Sequence, residues 1–169
     1  MKLKKIICWP PLLGGIGAGV TIGILAYITF VSFLAGTTYG FWLTASFASS
    51  AVVVFGYPDN KFAQPKNVLL GHLLCAFVGI IFVTFFKISQ DRTIFFLAIG
   101  LAVGIAVMLM MAFEITHPPA GANTIVVMLA QDSFQFLIFP VMVGAITIIV
   151  GAVIYNRLIL KKNYPLKWL

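Results

Sequence analysis

The run His117-Pro118-Pro119-Ala120-Gly121-Ala122-Asn123 combines an imidazole, two prolines, small residues and an amide within seven positions. A proline at a first helical position loses no hydrogen bond, and the residue before it is pushed out of helical geometry. The run therefore predicts a helix start, set off by a break after Phe113. The N–H groups of Ala120, Gly121 and Ala122 are expected to point freely out of that start. Small side chains would let a ligand reach them, and inside a protein that arrangement suits a small anion. A helix start within a membrane protein also needs polar neighbours for its own sake, so a purely structural role fits the same residues.

A second helix start has the same logic. In Ala63-Gln64-Pro65-Lys66-Asn67, Pro65 opens a helix while Gln64 and Asn67 offer side-chain amides near the break. Lys66 is either a charge that attracts an anion or a lysine snorkelling at a span end. His72, beside Gly71, falls in the second turn and needs a partner, whether a ligand or a carbonyl or hydroxyl of the chain. Glu114 is the chain's single glutamate and stands about one helical turn from His117. It either holds His117 protonated or marks the aqueous end of a span. Thr44, Ser46, Ser49 and Ser50 place hydroxyls on a further short helix, where they can replace solute hydration or bond to backbone. Ser49 and Ser50 are the candidates there for substrate contact.

These residues sit in a chain of 169 residues, 62% hydrophobic and only 9% charged. A soluble domain carries roughly 25% charged residues, because its surface must stay wet. The composition instead requires an all-α integral membrane protein, a single transmembrane domain over 1–169. Four long apolar segments, about 12–35, up to 86, 93–113 and 134–160, are each long enough to cross. Two others, 41–55 and 118–130, reach only about 20 Å against a core of about 30 Å. They are half-length crossings or re-entrant helices. A shift of 73 residues lays Val52-Val53-Val54 on Ile125-Val126-Val127, Ser50 on Asn123 and Gly71 on Gly144, which suggests a two-fold repeat of halves 11–87 and 93–160. Crossing short helices would invert the halves; re-entrant ones would leave them parallel.

The net charge of +7 does not point to nucleic acid, because the basic residues flank the spans. Lys2, Lys4 and Lys5 precede the first span, and Arg157, Lys161, Lys162 and Lys167 follow the last, so both termini are expected on the cytoplasmic side. The apolar start reads as a retained anchor. Cys8 and Cys75 suggest neither a disulfide framework nor a metal cluster. Gly15, Gly19 and Gly23 in the first span, and Gly100 and Gly104 in the fourth, form small-residue faces for packing within a protomer or in a homo-oligomer. Gly71, Cys75 and Gly79 form a third such ridge.

With its Ala63-Gln64-Pro65-Lys66-Asn67 loop, Gly71-His72 and His117-Pro118-Pro119-Ala120-Gly121-Ala122-Asn123 in this order, the chain resembles the HPP family of small integral membrane proteins. The resemblance covers nearly the whole chain and implies four transmembrane spans. Because members in cyanobacteria and chloroplasts are associated with nitrite transport, it also implies transport of a small anion, nitrite first, here across a bacterial inner membrane. A pore for water or urea is the nearest alternative. An intramembrane enzyme fits worse, since there is no His-Glu-x-x-His or Gly-x-Ser-x-Gly and no carboxylate cluster. No cofactor or metal is expected, and the two histidines, 45 positions apart, have no ligand spacing.

Overall fold

The computed structural model describes residues 9–34, 44–86, 92–131 and 133–168, and these are mostly helical, without strands. Lys2, Lys4, Lys5 and Cys8 lie outside the described residues. The helices are α1 (Trp9–Leu34), α2 (Thr44–Gly56), α3 (Pro65–Phe86), α4 (Arg92–Ala112), α5 (Gly121–Ala130) and α6 (Val143–Ile154). Wider-wound turns, Leu137–Met142 and Tyr155–Ile159, extend α6 at both ends. Four stretches are long and apolar enough to cross a membrane: Pro11–Val31, Pro65–Phe86, Ile94–Ala112 and Leu137–Ile159. Two shorter apolar helices accompany them, as expected. Pro140 breaks the last span, because Phe139 before it is extended (φ −130°, ψ 122°).

Close contacts fix the helix directions. α2 ends beside the start of α1, where a Cβ on Gly14 would lie 3.5 Å from the Phe55 carbonyl. Along α6, Gly151 meets Thr21 and Tyr155 meets Gly17, so α6 runs antiparallel to α1. α5 runs parallel to α3: Gly71 meets His117 and Ala120, Thr124 Oγ1 donates to the Cys75 carbonyl (2.8 Å), and Gly79 meets Thr124 and Val127. Direction therefore alternates at every helix. The short helices are traversed and do not turn back, so the three helices of one half run opposite to those of the other. The starts of α1 and α3, the ends of α2, α4 and α6, and the tail beyond residue 160 share one end of the bundle, called here the loop face.

The 73-residue correspondence recurs in these contacts. Gly71 of α3 makes room for Ala120 at the head of α5, and Gly144 of α6 makes room for the Phe47 ring of α2. Residues 47 and 120 correspond under the shift, as do 71 and 144. Each short helix thus lies against the third helix of the opposite half, seated on a glycine.

The ridge Gly71, Cys75, Gly79 is the seat of α5, where small residues let backbones approach closely in the absence of water. A Cβ at Gly79 would lie 2.8 Å from the Thr124 carbonyl. Gly15, Gly19, Gly23, Gly100 and Gly104 instead face open space on the outside of the bundle, so their ridges do no packing within the protomer. Gly79→Val and Gly144→Val are therefore expected to destabilise the detergent-solubilised protein by about 1–3 kcal/mol, or to prevent its assembly. Gly100→Val and Gly104→Val should leave its thermal unfolding within about 0.5 kcal/mol of the parent.

Candidate functional site

Where the two halves meet, Ser50, His72, His117 and Asn123 are all fully buried. Their positions follow from the local chain. Pro118 forces His117 into an extended conformation (φ −134°, ψ 98°), which swings the imidazole off the helix and back toward α3. Gly71 admits that side chain, since a Cβ there would come within 2.9 Å of His117 Cβ. His72, next along α3, then faces His117 with ring centroids 5.1 Å apart, and Phe47 covers its other side at 4.8 Å. Ser50 projects from α2 between the two rings, 2.8 Å from His72 Nε2 and 2.9 Å from His117 Nε2.

The outer nitrogens are held as well. His117 Nδ1 donates to the Phe62 carbonyl (2.7 Å). Asn123 Nδ2 donates to the His72 carbonyl (3.3 Å) and lies 2.9 Å from His72 Nδ1. Asn123 Oδ1 is buried with no partner. Such an acceptor costs about 1–3 kcal/mol when unpaired, and it marks a place where a donor would be welcome. His117 is enclosed by the chain on every side, a setting that disfavours the charged ring, while its Nδ1–H is kept by the Phe62 carbonyl.

The family model for the transmembrane region of HPP proteins matches residues 5–165. The chain belongs to the HPP family. A transmembrane protein of Dictyostelium discoideum is 35% identical to this HPP protein over 130 residues, 75% of this chain and 45% of that protein. A second Dictyostelium transmembrane protein is 34% identical over 131 residues, 75% of this chain and 42% of its own length. The chain spans less than half the length of these curated relatives. No solved structure matches it.

Several sequence expectations change at the His-Pro-Pro turn of this HPP protein. The N–H groups of Ala120 and Gly121 are not free. Pro118–Ala120 form a 3-10 turn in which Ala120 donates to the His117 carbonyl (2.9 Å) and Gly121 to the Pro118 and Pro119 carbonyls. Two consecutive prolines favour this tight turn, and its hydrogen bonds use the donors that a bare helix start would have offered. Pro119 and Ala120 are buried, Gly121 is half-buried, and Pro118 and Ala122 lie on the outer surface. Ser49 is exposed as well, one position away from the buried Ser50.

Gln64 is wholly engaged by the chain: Nε2 donates to the Pro58 and Asn60 carbonyls (both 2.9 Å), and Oε1 accepts from Leu166 N (2.8 Å). Tyr164 OH donates to the Ala63 carbonyl (2.7 Å), and burial raises its pKa. Together they strap the tail over the loop that carries Phe62. Asn67 Nδ2 donates to the Thr116 carbonyl (3.0 Å) and so holds the approach to His117. Lys66 lies along a lateral apolar groove with Leu70, Phe113 and Ile115.

Glu114 is exposed, and among the described residues no hydrogen bond or ion pair joins its carboxylate to His117. Its backbone explains its place. At φ 54° it closes α4 in the left-handed conformation, while Ile115 N donates to the Met110 carbonyl (3.0 Å). Two features escaped the sequence. One is Ser50 as the junction of both histidines, although the 73-residue match to Asn123 pointed at it. The other is a 440 Å³ vestibule at the loop face, lined in part by Gly14, Ala51, Phe55, Tyr57 and Lys162.

Glycine relieves the strain of a left-handed helix end, so Glu114→Gly should raise unfolding stability by about 1 kcal/mol. A drop in stability, measured by thermal unfolding in detergent, would show that the carboxylate itself holds the turn.

Proposed function

We propose that this HPP protein carries a small inorganic anion across the membrane, with nitrite the first candidate and no enzymatic role. The observation that carries this reading is the buried Ser50–His72–His117–Asn123 cluster, drawn from both halves of an alternating six-helix bundle at the point where its helices are broken. Ionisable groups inside a membrane bundle are costly and mark solute or proton pathways. Sites at the junction of inverted halves, beside discontinuous helices, are the pattern of secondary transporters. The 440 Å³ vestibule supports access from the loop face, because Ala51 in its wall adjoins Ser50 and Lys162 supplies positive charge at its rim. Since the cluster is sealed on all sides, a carrier that opens alternately fits better than an open channel. Polar contact to the solute falls to His117, His72, Ser50 and Asn123, with the buried Pro119-Ala120 turn behind them.

The expected result for purified protein in liposomes is saturable nitrite uptake above protein-free liposomes. His117→Gln should lower it about tenfold, the equivalent of one lost polar contact of about 1.4 kcal/mol. Liposome swelling in urea or under osmotic shock, without anion uptake, would turn the reading toward an uncharged-solute pore.

The loop face carries Lys61, Lys66, Arg157, Lys161, Lys162 and Lys167, and the positive-inside rule assigns such a face to the cytoplasm. Both chain ends then lie on the cytoplasmic side of a plasma membrane. A cysteine at Asp59 should react with an impermeant thiol reagent in inside-out vesicles and not in intact cells; the opposite pattern would invert the topology.

A further inference from the structure

Ser50 Oγ has three neighbours at hydrogen-bond distance: the Ser46 carbonyl (3.0 Å), His72 Nε2 (2.8 Å) and His117 Nε2 (2.9 Å). A hydroxyl has one proton to donate and two lone pairs that accept. The outer contacts decide how these are used. Because the Phe62 carbonyl can only accept, His117 carries its proton on Nδ1, and its Nε2 is bare in the neutral ring. Because the His72 carbonyl can only accept, the Asn123 atom near it is the amide nitrogen, and that nitrogen also donates to His72 Nδ1. Neutral His72 therefore carries its proton on Nε2. The neutral cluster is a one-way chain from Asn123 through His72, Ser50 and His117 to the Phe62 carbonyl, with the Ser50 proton directed at His117 Nε2.

One further proton fits this arrangement without loss of any hydrogen bond along the chain. When His117 Nε2 is protonated, both Nε2–H groups point at Ser50 Oγ and fill its two lone pairs. The serine proton turns to the Ser46 carbonyl, which already stands at bonding distance. Only a hydroxyl rotation is required. A second added proton has no such place, since His72 Nδ1 faces the donor Asn123 Nδ2.

We infer that Ser50, His72 and His117 form a binding site for a single exchangeable proton, loaded at His117 Nε2, and that this proton crosses together with the anion. The second clause rests on the transport reading above. An imidazolium alone is costly in a sealed apolar setting, and so is a lone anion; each lowers the cost of the other, which is the linkage that symport requires. With its Nε2 facing only Ser50 in a sealed setting, His117 is expected to take the extra proton when an anion arrives to offset the charge.

The surrounding titratable groups are turned elsewhere. Lys61 lies over the Phe62 ring, Lys66 lines the lateral groove and Glu114 is exposed. Cys75 Sγ contacts Met110 Sδ, and Tyr155 packs against Phe55. Tyr164 bonds the Ala63 carbonyl. Neither α4 from Thr93 onward nor α5 contributes a charged residue.

The test has two arms. Nitrogen-15 NMR of histidine-labelled wild-type protein in bilayers reads the site without any need for transport. At pH 7 it should show His117 protonated on Nδ1 and His72 on Nε2, and acidification should create one imidazolium, on His117. The opposite tautomer at either ring, or two imidazolium rings forming together, would overturn the site.

In liposomes loaded with a pH indicator, an inward nitrite or nitrate gradient should bring in one proton per anion, with protein-free liposomes subtracted. Ser50→Ala should cut proton entry about tenfold, whereas Ser50→Thr, which keeps the hydroxyl, should retain it. Anion uptake without acidification would overturn the coupling while the transport reading stands. Uptake of neither anion would overturn the transport reading and the coupling with it, leaving the NMR arm to judge the proton site alone.

Discussion

One constraint orders this molecule: polar groups removed from water inside an apolar bundle must find their partners within the chain. Two imidazoles, a hydroxyl and an amide are enclosed where the two halves meet, and an unpaired polar atom there costs about 1–3 kcal/mol. Ser50 resolves most of the demand because one oxygen serves both rings. The remaining nitrogens reach a loop carbonyl at Phe62 and the amide of Asn123. The cluster thus ties α2, α3, the His-Pro-Pro turn and α5 into one unit, and it does so across both halves.

Close approach of backbones makes the cluster geometrically available. Gly71 lets the extended His117 reach α3, and Gly144 seats Phe47, whose ring then covers His72. The same glycine positions, 73 residues apart, serve the two halves in the same way, while Ser50 and Asn123, also 73 apart, both end on His72. At the loop face, Gln64 and Tyr164 fasten the tail over the segment that supplies Phe62, so the lid of the site is held by hydrogen bonds between side chains and backbone. A carrier cycle would have to release such a lid, and these bonds sit at the end of the bundle, with Tyr164 buried beneath the tail.

The family assignment and the bundle explain different things. Membership in the HPP family accounts for the motif order and the membrane setting. It leaves open why a His-Pro-Pro turn should be useful. The structure supplies a physical answer. The prolines do not expose backbone donors to a ligand; they consume them in a tight turn and, in doing so, aim the preceding histidine inward.

Much of this was legible in the residues alone. Apolar runs of about 20 residues can only be membrane spans, and prolines act on their immediate neighbours, so the four long helices, the two short ones and the extended His117 follow from local rules. The small-residue ridge of α3 was equally readable, because four-residue spacing fixes a helix face. What only the tertiary structure decided is who meets whom. Charge counting could not separate crossing from re-entrant short helices, since both place the basic residues equally well; the end of α2 beside the start of α1, and the tail fastened to the loop before α3, separate them. No spacing rule joins Ser50, His72 and His117, which are 22 and 45 positions apart and come from three segments. Their partnership comes from packing and from the requirement that buried donors and acceptors satisfy one another, a condition imposed between segments and written in none of them singly.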